Sequence, residues 1–93
     1  MSEQAYVDPT KLEDFAVHLK GFAATTDKAT DRLLTALSGL SRSWEDQAFE
    51  QFQQSVRGLA QTLLTFVGDA EGFSAYLTTK AVEAKAIHQM NHP

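Results

Sequence analysis

Cysteine is absent from the 93 residues, proline occurs only at Pro9 and Pro93, and no apolar run approaches the roughly 20 residues that a membrane-spanning helix needs. The first absence excludes disulfides, thiolate metal sites and a cysteine nucleophile. The second leaves residues 10 to 92 free of the strongest helix breaker. The third argues against membrane insertion. A basic excess is missing as well: eight Lys and Arg stand against 12 Asp and Glu, for a formal charge of −4. Without a clustered positive stripe to meet phosphates, nucleic acid is not expected as a partner. Catalytic constellations are also lacking. No nucleophile sits near a plausible base, no glycine-rich loop could cradle a phosphate, and no carboxylate pair stands on apolar ground. The sequence therefore predicts neither an enzyme nor a cofactor. The opening stretch MSEQAYVDPTKLEDF has neither the basic start nor the apolar core of a secretory leader. A chain made in the cytoplasm without a signal peptide is the expectation.

What is present is helical periodicity. Asp8 is placed to cap a helix, Pro9 suits its first position, and Glu13 and Asp14 follow near its positive end. Apolar or small residues then recur at Leu12, Phe15, Leu19, Phe22, Thr26, Ala29, Leu33, Ala36 and Leu40, in steps of three and four. A second series runs Phe49, Phe52, Val56, Leu59, Leu63, Phe66, Ala70, Phe73 and Leu77, falters at Lys80, and resumes at Ala84 and Ile87. The fold class predicted is all-α. One domain, 1–93, forms an antiparallel two-helix hairpin, with helix 1 over about 9–40, a bend at 41–46, helix 2 over about 47–88, and residues 1 to 7 frayed. Equal paired lengths would leave the last turns, near Lys80 to Ile87, projecting past the hairpin. The five glycines, Gly21, Gly39, Gly58, Gly68 and Gly72, fall inside the helical series and read as loosening or close-packing positions.

A surplus of apolar residues flanks the two seams: Ala16, Ala23, Leu34 and Leu37 on the first, Ala60, Leu64 and Val67 on the second. A 93-residue chain buries little on its own, and leaving such residues wet would cost much of a small domain's stability. Pairing two hairpins into a four-helix bundle dimer would cover them, with Leu34, Leu37, Ala60, Leu64 and Val67 as the candidate dimer face. His88 and His92 stand four apart, but two histidines lack the remaining ligands of a structural zinc site, so no metal is expected and the tail reads as solvated. His18, four residues after Asp14, reads as half of a surface ion pair.

The junction SRSWEDQAFEQF holds the only tryptophan. Trp44, Asp46, Ala48 and Phe52 follow a spacing that resembles the WXG family, small helical hairpins of type VII secretion whose bend reads roughly W-x-G-x-A-x-x-x-F. Asp46 stands where that pattern has glycine. It can cap the second helix, with Ser43 as a competing cap. Trp44 admits two readings: it folds beside Leu40 and Ala48 and pins the bend, or it stays partly exposed and lines a recognition groove. The resemblance implies pairing with itself or a related hairpin, contact with a larger secreted effector and a secretion ATPase, and export by type VII secretion. The family's tail signal, Tyr-x-x-x-Asp/Glu, is not matched: Tyr76 is followed at that distance by Lys80, with Glu83 two turns away on the same side. Tyr76, Lys80 and Glu83 are nonetheless the candidate tail-recognition residues. The alternative reading is a cytosolic helical adaptor or structural subunit that shares the hairpin by convergence.

Overall fold

The computed structural model describes residues 7–90; the expectations made for residues 1 to 6 and for His92 lie outside the described residues. The described residues form two helices, α1 (Pro9–Leu40) and α2 (Gln47–Met90), folded against each other as an antiparallel hairpin. α1 starts as its sequence dictates. The Asp8 carboxylate accepts the Thr10 N–H at 3.0 Å, and Pro9 occupies the first turn, where its missing N–H costs nothing. α1 ends without a left-handed residue, its last carbonyls being taken by N–H groups of the bend, Ser41 to Leu37 at 3.1 Å and Trp44 to Leu40 at 3.1 Å.

The seam is rotated from the one the large residues predict. On α1 the row Leu12, Leu19, Thr26 and Leu33 is half-buried as expected, but its fully buried companion is Ala16, Ala23, Thr30 and Leu37. On α2 the row through Phe49, Val56, Leu63, Ala70, Leu77 and Ala84 is shared, and its companion is Gln53, Ala60, Val67, Ser74 and Ala81. The hairpin thus closes on its small residues, and Ala23, Val67 and Ala70 form the central cluster with Leu19 against it. Small side chains let two helices approach along their whole length, so the residues read as surplus, all but Leu34 and Leu64, became the seam. The large residues of the predicted seam moved to its flank.

The buried hydroxyls are satisfied. Ser74 Oγ donates across the seam to the Ala16 carbonyl at 2.8 Å, and Thr30 Oγ1 donates within its own helix to the Thr26 carbonyl at 2.8 Å. The Ser74 bond fixes the register, bringing Val67 level with Ala23 and Ala81 level with Pro9. Pairing therefore runs further than equal helix lengths predict. Ala81 is fully buried, and Lys85 Nζ reaches Glu13 Oε2 at 2.7 Å. The first turn of α2 lies beyond the end of α1 at the bend, which shifts every later residue by about one turn, so the residues after Ala81 run past the start of α1, with the long Lys85 side chain reaching back to Glu13. His18 also departs from expectation: its Nδ1 meets the Asp14 backbone carbonyl at 2.8 Å instead of the carboxylate. The glycines lie within the helices, and a Cβ at any of the five would meet open space, so none marks a close approach inside this chain.

The molecule measures 72 × 23 × 13 Å. Its shortest dimension is about the diameter of one helix. The hairpin is a single layer with two open faces, whereas stable domains are built of two or more layers.

Candidate interaction surface

The bend leaves two candidate surfaces, a tip and a face. At the tip, Asp46 Oδ1 accepts two bonds at once, from the Phe49 backbone N–H at 3.1 Å and from the Trp44 indole Nε1–H at 2.9 Å. The first is an N-cap of α2, which sequence reasoning assigned to Asp46. The second it did not foresee. Ser43, the competing cap, turns the other way and donates to the Leu40 carbonyl at 3.3 Å. Tethered in this way, the indole is half-buried and lies over α2. Its ring centroid is 5.3 Å from that of buried Phe49 and 5.5 Å from that of Phe52. Ala48, expected beside the indole, is exposed; a helix turns 100° per residue, and the side facing Trp44 is that of Phe49 and Phe52. An open depression beside the ring is lined by Ser41, Trp44, Glu45, Asp46, Gln47, Phe49 and Glu50. Trp44 thus packs on α2 at the bend and forms one wall of an open hollow.

The larger element is a face. In an antiparallel pair, equivalent rows of the two helices on one side of the seam emerge on the same face. Here the row Phe15, Phe22, Ala29 and Ala36 of α1 and the row Phe52, Leu59, Phe66, Phe73, Lys80 and Ile87 of α2 emerge together. Phe22 and Phe66 confirm this by meeting edge to face, centroids 5.7 Å apart at 65°. Of the six phenylalanines only Phe49 is buried. The other five, all on this face, are 43% to 62% exposed. The reverse face is charged: it carries Lys20, Asp27, Arg57 and Glu71 and is clasped by the Glu13–Lys85 ion pair.

Three of the five residues of the expected dimer face are not available to a partner. Leu37, Ala60 and Val67 are buried in the hairpin's own seam, and Leu34 and Leu64 emerge on the charged side, so none of the five belongs to the phenylalanine face. The signal that finds that face is the row one position before the buried one, and it becomes legible only once the small-residue seam is recognised.

Of the tail residues, Tyr76 and Lys80 lie alongside the first turns of α1, and Glu83 lies just past its start. Tyr76 is 58% exposed, Lys80 Nζ stands 5.7 Å from its ring centroid, and Lys80 pairs with Glu83 at 3.3 Å. Tyr76 and Lys80 are therefore in contact one turn apart, with a cation where the resemblance would place an acid. Among the described residues no helix is long and apolar enough to cross a membrane. Comparison of the chain with protein-family models, with curated proteins and with solved structures finds no match in any of the three.

Proposed function

We propose that this chain is a recognition module: a helical hairpin that pairs through its phenylalanine face with a second hairpin, itself or a sister, and that serves a type VII-like secretion route as cargo or as escort of a larger effector. The observation that carries the pairing is the exposure of five phenylalanines on one face of a single-layer hairpin. Contiguous apolar patches of that kind mark interaction sites. The secretion half rests on the resemblance of Trp44, Asp46, Ala48 and Phe52 to the WXG bend, and the tip supports it physically. Asp46 caps the helix and holds the indole, so the bend keeps its shape without the glycine.

The second reading, a cytosolic adaptor, is favoured by Lys80. It occupies the place of the acidic tail residue and is engaged by Tyr76 and Glu83. One experiment separates the two. A tagged chain is followed into the culture medium of its host, with and without the secretion ATPase, as wild type and as Phe66→Glu. Export that requires the ATPase and is lost in Phe66→Glu is the expected result. A chain that stays in the cells under all conditions sinks the secretion reading and leaves the adaptor.

A further inference from the structure

Three of the five glycines come together at one level of the hairpin. The register set by Ser74 and Ala16 brings Gly21 of α1 level with Asp69 of α2, one residue from Gly68 and three from Gly72. Gly39 and Gly58 come level with Gln51 and Arg32, each with no glycine opposite. None of the three has a conformational or steric reason to be glycine: none has a positive φ, and a Cβ at each would meet open space. Glycine is the weakest helix former after proline, so each lowers the stability of its helix without any gain in packing.

The residues that follow lower it further. After Gly21 come Thr25, Thr26 and Asp27, and the stretch Gly68 to Ser74 adds Asp69, Phe73 and Ser74, all poorer helix formers than Ala, Leu or the long straight chains. The two weak stretches adjoin across the seam. The contacts that join the helices lie on both sides of this level. Ser74 bonds to Ala16 toward the far end, where α1 begins and α2 ends, and Ala23 packs with Val67 toward the tip.

We infer that this level is a hinge, at which both helices bend together and the far end of the hairpin tilts against the tip. Where proline is absent, glycine and serine are the usual seats of a helix kink. Because the helices are joined on either side, one does not bend without the other. The flat shape sets the direction. A layer 13 Å thick and 23 Å wide bends across its thickness, toward or away from the phenylalanine face. Phe22 and Phe66 stand at the hinge, Phe15 and Phe73 tilt with the far end, and Phe52 and Leu59 stay with the tip. The hinge therefore sets whether the apolar rows lie in one plane or form a hollow, and it is independent of what covers them.

The test is native-state hydrogen exchange on the full chain, followed residue by residue by NMR in increasing urea. The amides whose helical bonds span the hinge are those of Phe22 to Thr25 and Asp69 to Ala75. They should exchange faster than the amides of Leu77 to Ala81, although these lie nearer the far end. Their rates should not respond to low urea, because a bend exposes little surface. Gly21→Ala with Gly68→Ala and Gly72→Ala should slow this exchange about tenfold on α2 and about threefold on α1, following the two glycines replaced on one helix and the single one on the other. Gly39→Ala with Gly58→Ala, which strengthens both helices away from this level, should leave it unchanged. Protection that declines smoothly from tip to far end, with no dip at this level, overturns the hinge. So does a dip that persists in the triple variant, or one that the changes at Gly39 and Gly58 remove as well.

Discussion

At the scale of the residue, Asp46 has the most to do with the least redundancy. One carboxylate oxygen caps α2 and holds the only indole of the chain. Asp46→Ala removes both bonds and should cost about 1 to 2 kcal/mol in urea unfolding, the upper part of the range for a lost N-cap. Asp46→Gly should cost less, because glycine is itself an acceptable N-cap, within a few tenths of a kcal/mol of the polar ones. Both changes free the indole, so Trp44 fluorescence should shift in each while stability falls mainly in the alanine variant. An alanine variant as stable as wild type would contradict this account. The capping role could be read from the sequence because it needs only Asp46 and the helix that follows. The indole bond could not, since it depends on the side-chain angle of Trp44, which is set by packing on Phe49 and Phe52. Ser74 is the same kind of case: a serine within an apolar series, its role as donor to Ala16 appears only when the second helix is in place.

At the scale of the element, both helices were legible from period and caps, and the identity of the face each buries was not. Steps of three and four fit two adjacent rows equally well, one on each side of the shared row. The large residues drew the reading to one side and the hairpin closed on the other. Size is a good guide to what must be buried somewhere. It is a poor guide to which neighbour buries it, because helices that approach closely do so over alanine. The glycines of α2 give the element-scale prediction. A Cβ at Gly58, Gly68 or Gly72 meets nothing within the chain, so each change to Ala should add about 0.5 to 1 kcal/mol to stability in urea. A substitution that instead lowers stability, or weakens association while the monomer is unharmed, would show that another chain comes close to the α2 backbone at that position.

At the scale of the whole molecule, the single layer governs behaviour. The hairpin has a radius of gyration of 20.8 Å, against about 12 Å for a compact chain of its length. Hardly any residue has neighbours on every side, which is why the buried set is small and rich in alanine. Length and composition raise the expectation of a partner from the sequence. The exposed phenylalanine face could be located only with both helices in register. One further consequence follows from the Ser74 to Ala16 bond and the Glu13–Lys85 pair, which join residues 58 and 72 apart along the chain. Across the bend the helices meet again after about a dozen residues, and closing a loop of about 72 costs about 1.6 kcal/mol more than closing one of about 12. Folding should therefore start at Trp44 and zip outward, each closed turn shortening the loop for the next. In stopped-flow experiments Asp46→Ala should slow folding, whereas Ser74→Ala should leave the folding rate nearly unchanged and speed unfolding. The hairpin then opens from its far end, where α1 begins and α2 ends, long before the indole at the tip reports any change.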